Sequence, residues 1–131
     1  MKLLLDTHIW VWSLLTPERL APNVARELES PENELWLSPI SVWELLIQVE
    51  KGRVTLDMEP SQWIEAAWRA APLNEAPLIT EVAIQSRRVD LPHQDPADRF
   101  LAATAVVYGL TFVTADDQIL TSKTLSLLPN R

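Results

Sequence analysis

Short apolar runs that give way at once to helical segments recur along this chain, and that alternation restricts the fold more than any other feature. Lys2–Leu5 is an apolar run ending at Asp6, and Thr7–Leu15 after it has helical character until Pro17 stops it. Ala21–Glu29 is amphipathic at helical spacing, and Glu34–Leu37 reads as a second strand. Ser38 and Pro39 then supply a helix N-cap and first helical residue, with Gly52 as the stop. Val54–Asp57 suits either a loop or a short extended piece. Ser61–Ala71 and Leu78–Arg88 read as helices flanking a very short strand at Leu73–Asn74, and Leu91–Gln94 reads as a loop. Asp95–Pro96 opens a helix that runs to Tyr108 and stops at Gly109. Thr111–Thr114 is a strand, Asp116–Leu120 a short helix and Leu125–Leu128 a last strand. Strands separated by helices form a parallel sheet covered on both faces, because the crossover helices must pack somewhere. No repeat, linker or low-complexity segment interrupts the pattern, so residues 1–131 are expected to form one domain.

Composition narrows the function classes. Hydrophobic residues make up 47% of the chain, enough for a sizeable core and against disorder. There is no cysteine, which excludes disulfides and thiolate metal sites and suits a reducing cytoplasm. The opening MKLLLDTHIWVWSLL resembles a signal peptide, but Asp6, Thr7 and His8 break the apolar run and no small-residue cleavage site follows. No stretch reaches the roughly 20 apolar residues of a membrane helix. A cytoplasmic protein is expected. The net charge of −7 opposes loose binding to nucleic acid. Binding to RNA therefore needs local compensation, from divalent cations or from a basic group such as Arg87, Arg88, His93 and Arg99.

Four acids carry the chemical signal. Asp6 closes the first strand, and Asp116 lies just past the strand Thr111–Thr114. Ligands in open α/β sheets sit at that carboxyl edge. Either Asp alone is equally well explained as a helix cap. Asp98 shares a helical face with Ala102 and Ala105 on an almost wholly apolar helix, where an ionised carboxylate needs a partner. The competing explanation is a capping box with Asp95 as N-cap. Glu44 falls in a narrow polar arc with Ser41, Gln48 and Lys51, which a solvated helix face accounts for on its own.

Taken together, the four acids sit in motifs that resemble PIN-domain ribonucleases, particularly the VapC-type toxins of prokaryotic toxin–antitoxin pairs. LLLDTHIWVW carries Asp6, SPISVWELLI carries Glu44, HQDPADRFLAATA carries Asp98 and LTFVTADDQI carries Asp116, in the family's order and over nearly the whole chain. The resemblance implies a three-layer α/β/α fold around a five-stranded parallel sheet of order 3-2-1-4-5, with the acids at its carboxyl edge. It implies a catalytic set of Asp6, Glu44, Asp98 and Asp116. Asp6, Asp98 and Asp116 are the expected metal ligands, and Thr7, Asp95, Thr114 and Asp117 the supporting groups. In the Asp116–Asp117 doublet, the motif register favours Asp116. His93 and Arg99 are candidate substrate contacts, although a surface salt bridge to Asp98 explains Arg99 more simply.

An all-oxygen acid set selects Mg²⁺ or Mn²⁺, and the two histidines are too few for a typical zinc site. The implied reaction is hydrolysis of RNA to a 3′-hydroxyl and a 5′-phosphate. The implied partners are RNA, a second copy of the chain, and an antitoxin bound near the amino-terminal helices with a basic side chain toward the acids. A haloacid-dehalogenase phosphatase needs a second Asp where His8 stands, and a receiver domain's acidic pair and lysine have no counterpart. A non-catalytic PIN module acting through partners is the remaining alternative, against which stands the presence of all four acids. The six tryptophans fit a packed core or an interface, with core the expectation for most of them.

Overall fold

A computed structural model describes residues 1–131. Its sheet has five parallel strands in the order β3-β2-β1-β4-β5. These are β1 (Lys2–Leu5), β2 (Glu34–Leu37), β3 (Asn74–Glu75), β4 (Thr111–Thr114) and β5 (Leu127–Pro129). The six helices are α1 (Thr7–Leu15), α2 (Pro22–Glu29), α3 (Pro39–Glu50), α4 (Pro60–Ala70), α5 (Thr80–Ser86) and α6 (Pro96–Tyr108). The expected sheet order is therefore the observed one. No helix is long and apolar enough to cross a membrane.

The central strand explains the three layers. In β1, Leu3 pairs with Leu35 of β2 on one side and with Thr111 of β4 on the other, so both edges of the strand are covered. Its side chains alternate between faces. Leu3 and Leu5 join one core with Ile9, Trp10, Val24, Leu45 and Trp63. Leu4 joins a second core with Val82, Leu101, Ala102, Phe112 and Ile119. Helices α1, α2 and α4 thus pack on one face, and α5 and α6 on the other. Trp10 and Trp63 meet edge to face at 5.9 Å inside the first core, as expected for core tryptophans. Trp12, Trp36 and Trp68 are partly buried, and Trp43 is half exposed.

Several boundaries differ from the sequence expectation. Helix α5 begins at Thr80 rather than Leu78, and has no side-chain cap to extend it. The residues after Asp116 form a turn and a short 3₁₀ segment, Ile119–Thr121, not a helix from Asp116 to Leu120. Strand β5 starts at Leu127, where pairing with Phe112 begins, rather than at Leu125. Strand β3 is Asn74–Glu75, displaced by one residue to pair with Trp36 and Leu37. Val54–Asp57 forms no strand. Ser38 caps α3 as expected, accepting from the Ile40 amide.

Candidate active site

The carboxyl edge of the sheet opens into a cleft of about 450 Å³ lined by Asp6, Glu44, Asp95, Asp98 and Asp116, with His8, Trp12 and Arg19 on its rim. The four acids of the sequence motifs therefore converge, from the junction of β1 and α1, from α3, from α6 and from the turn after β4.

Asp6 and Asp116 are fixed by one hydroxyl. Thr114, the buried last residue of β4, donates through Oγ1 to Asp6 Oδ2 at 2.7 Å and accepts from the Asp116 amide at 3.0 Å. Strand pairing makes this possible, because Leu5 lies opposite Val113 and the Asp6 amide donates to the Val113 carbonyl. Asp6 Oδ1 also accepts from the Thr7 amide at 2.8 Å, so Asp6 caps α1 as well as lining the cleft. Burial raises its pKa, against the opposing effect of the Thr114 and Thr7 bonds. Asp116 Oδ1 accepts from the amides of Gln118 and Ile119 and closes the turn below it. Asp117 points away from the cleft. Its side chain is 89% exposed and meets Arg131 at 3.5 Å.

Glu44 is tied to the first helix. The Thr7 hydroxyl donates to Glu44 Oε1 and lies 3.0 Å from Ser41 Oγ. A hydroxyl has one proton; with the carboxylate taking it, Ser41 is the donor to Thr7. The arc of Ser41 and Glu44 is thus a bonded contact between α1 and α3 rather than a solvated face. Burial raises the Glu44 pKa, the Thr7 bond opposes this, and Asp6 and Asp95 raise it further.

Asp98 is held most loosely. Asp95 caps α6 by accepting from the Asp98 amide at 3.0 Å, so the capping explanation holds for Asp95. The Asp98 carboxylate is left facing the cleft. Its one close polar neighbour is His93 Nε2, 3.3 Å from Oδ2. His93 Nδ1 accepts from the Asp95 amide at 3.3 Å, which places the proton of a neutral imidazole on Nε2, toward Asp98. Burial, then repulsion from Asp6, Asp95, Asp116 and Glu44, pushes the Asp98 pKa up to about 7. His93 therefore orients an acid, a role the sequence did not distinguish from substrate contact.

Arg99 corrects the sequence expectation outright. It is 5% exposed and neither pairs with Asp98 nor reaches the cleft. Its guanidinium donates to the carbonyls of Ser86 (2.8 Å), His93 (3.0 Å) and Val89 (3.2 Å). Arg99 thereby ties α6 to the segment that carries His93. The signal was present in the sequence: Arg99 shares a helical face with Ala102 and Ala103, both fully buried. Arg19 and Trp12 were missed. Arg19 reaches the cleft because the chain folds back through the 3₁₀ turn Pro17–Arg19, which composition does not reveal.

The donor set is all oxygen and its charges repel, which fits a hard divalent cation in chemistry and in electrostatics. No group of three or more of these side chains is gathered tightly enough to hold an ion as it stands.

Comparison with known proteins agrees with this arrangement. The PIN domain family model matches residues 3–122. Ribonuclease VapC22 of Mycobacterium tuberculosis is 31% identical over 119 residues, covering 88% of each chain. Among solved structures, VapBC2 from Rickettsia felis bound to a promoter DNA fragment aligns with a TM-score of 0.72 at 17% identity, over 98% of each chain. The DNA-bound VapBC of Salmonella typhimurium aligns at 0.71 and 20% identity, over 100% of this chain and 99% of that one. FitAcB from Neisseria gonorrhoeae aligns at 0.63 and 23%, over 98% and 97%. The family match spans all four acid motifs and the fold likeness spans the whole sheet, and the chain belongs to the PIN domain family.

Proposed function

We propose that the protein is a Mg²⁺- or Mn²⁺-dependent endoribonuclease, the toxin of a toxin–antitoxin pair, acting in the cytoplasm through Asp6, Glu44, Asp98 and Asp116. The observation that carries this reading is the convergence of these four acids, from distant parts of the chain, on one cleft at the carboxyl edge of the sheet. The likeness to a ribonuclease adds the substrate class. Asp6, Asp98 and Asp116 would hold the ion. When bound, it supplies Lewis-acid polarisation of the scissile phosphodiester and an acidified water. Thr114 fixes the separation of Asp6 and Asp116, so little has to be reorganised when substrate arrives. Glu44 keeps one oxygen on Thr7 and offers the other to take a proton from the attacking water. His93 and Asp95 steer Asp98 from behind. The test is cleavage of RNA by purified protein with Mg²⁺ or Mn²⁺. Cleavage should stop with EDTA. Persistence in EDTA, with contaminating nucleases excluded, contradicts the metal mechanism.

Two partner surfaces belong to the same proposal. An apolar groove of about 210 Å³ between α1, α2 and β2, lined by Leu14, Pro17, Leu20, Leu28, Leu35 and Leu73, suits the apolar face of an antitoxin. A second apolar patch on the opposite face, with Ile40, Trp43, Leu78, Ala97 and Phe100, suits a homodimer. The likeness to VapBC assemblies supports the antitoxin. Pull-down with the product of the adjacent gene and light scattering at micromolar concentration check the two surfaces.

A further inference from the structure

The acidic cleft continues into a second recess of about 250 Å³, between α1 and the end of α3. The two share His8, Trp12, Arg19 and Glu44 along their walls. This second recess differs in chemistry from the first. Glu44 is its one acid, on the shared wall, while Arg19, Arg53 and Gln48 also line it. Arg53 is turned back toward the recess by Gly52, whose φ of 72° is open to glycine and strained for other residues. The Arg53 amide then closes on the Gln48 carbonyl at 2.9 Å.

Two features mark these cations as uncommitted. The chain has two close ion pairs, His93–Asp98 and Arg131–Asp117, and neither Arg19 nor Arg53 is in them. Arg19 stands among carboxylates, yet its guanidinium lies 5.0 Å over the Trp12 ring instead. His8 tilts against the same ring, with centroids 5.7 Å apart. The result is a cluster of three planar groups at the mouth of an acidic cleft, one of them the free cation Arg19, with a second, Arg53, beside it. In a chain of net charge −7, two unpaired guanidinium groups beside the cleft offer a phosphate backbone local compensation.

We infer that the Trp12–Arg19–His8 cluster is a nucleotide subsite that takes one unpaired base next to the scissile phosphate, with Arg53 contacting the neighbouring phosphate. The inference rests on the nuclease reading above and deepens it by fixing the side on which RNA leaves the cleft. Unpaired bases stack on aromatic rings and guanidinium planes, and every base has such a face. The preference is therefore for single-stranded RNA and not for one base.

The experiment compares two probes, a short fluorescein-labelled single-stranded RNA and a sugar–phosphate oligomer of equal length without bases. Binding is read by anisotropy in EDTA in an Asp98→Asn background, which should leave RNA uncut. Trp12→Leu is expected to weaken RNA binding by about fivefold or more, the range for one lost stacked base, and to leave the baseless oligomer unaffected. Trp12→Phe keeps a ring and should restore most of the affinity. Arg19→Gln and Arg53→Gln should weaken both probes and reduce the salt slope by about 0.7 each. In the otherwise wild-type protein Trp12→Leu, Arg19→Gln and Arg53→Gln should lower kcat/KM for RNA in parallel, and Trp12→Phe should keep most of it. Melting curves check that each variant is folded; Arg19 and Arg53 are exposed and should not disturb the core. If wild type cuts RNA while Trp12→Leu, Arg19→Gln and Arg53→Gln bind and cut as their parents do, the inference is overturned and the nuclease reading stands. If those variants lose only the antitoxin, the cluster is a protein-docking site and the inference is likewise overturned. If wild type neither binds nor cuts any RNA, both readings fail.

Discussion

Asp6 and Asp98 face the same cleft and both are pushed toward the protonated form by burial, yet the protein holds them in opposite ways. Asp6 directly follows the central strand and accepts from the Thr7 amide and the Thr114 hydroxyl, which oppose its desolvation. Asp98 sits on α6, has a single imidazole 3.3 Å away, and meets the repulsion of four other acids. The edge acid is committed to the fold and the helix acid is not. A site built this way has a rigid wall and a responsive wall, and the responsive one is where a counter-charge is missing.

The largest effect should come from neutralising the responsive wall. Asp98→Asn is expected to reduce RNA cleavage by more than about 100-fold, since changes to mere supporting groups of metal sites already cost about 10–100-fold. Retention of more than a tenth of the activity would break the contrast, because Asp98 would then be a bystander like Asp117. The next effect concerns what holds that wall in place. Arg99→Met leaves the Ser86 and His93 carbonyls without their donor, while the Val89 carbonyl keeps the Leu91 amide, and is expected to cost about 2–4 kcal/mol in denaturant unfolding, given about 1–3 kcal/mol for each unsatisfied buried group and partial access of water. An unchanged midpoint with weakened RNA binding would return Arg99 to the phosphate-contacting role.

The pH dependence sharpens the comparison further. The Asp98 pKa rises from 3.8 toward 7 on folding, so between those values the folded state binds more protons than the unfolded state. Stability of the metal-free protein should therefore fall as pH rises through this window, with the full penalty present above pH 7. Asp98→Asn should remove that slope and be more stable than wild type above pH 7 by about 1–3 kcal/mol, allowing for solvent screening of a partly exposed group. At about pH 4 the two should converge. Asp6→Asn should gain less, because it weakens the bonds that compensate Asp6. Urea titrations in EDTA across this pH range test both. The smallest effect is reserved for Asp117→Asn, which should change activity and stability by less than about 0.5 kcal/mol, as for other exposed ion pairs. A large loss there would reverse the assignment within the Asp116–Asp117 doublet.

What was legible in the sequence follows the same division between rigid and responsive parts. The bounds of β1, β2, β4 and α6 read directly, because apolar runs, Ser38–Pro39, Asp95–Pro96 and Gly109 are local signals. The edge strands β3 and β5 slipped by one or two residues, since their ends are fixed by partners and not by their own composition. The expected helix after Asp116 became a turn because the Asp116 carboxylate takes two successive amides and closes it. All four motif acids reached the cleft, whereas the wiring between them stayed hidden. Thr114 bridging Asp6 to Asp116, and His93 behind Asp98, depend on tertiary approach. Arg99 was misjudged by treating an arginine on an apolar helix as a surface group, and Arg19 was missed because it enters the cleft from a turn.

The central claim is that these acids share one ion and that the ion relieves their repulsion. The measurement that meets it most directly is thermal melting of wild type and Asp98→Asn at a pH just above 7, each with EDTA and with excess Mn²⁺. Wild type should melt higher with Mn²⁺, by the equivalent of roughly 2.7 kcal/mol at about 100 times the dissociation constant. Asp98→Asn should match or exceed wild type in EDTA and respond little to Mn²⁺. A wild type whose melting ignores Mn²⁺, beside an Asp98→Asn protein that is no more stable than wild type in EDTA, would contradict the shared site and leave four acids that merely cap and line the edge of a sheet.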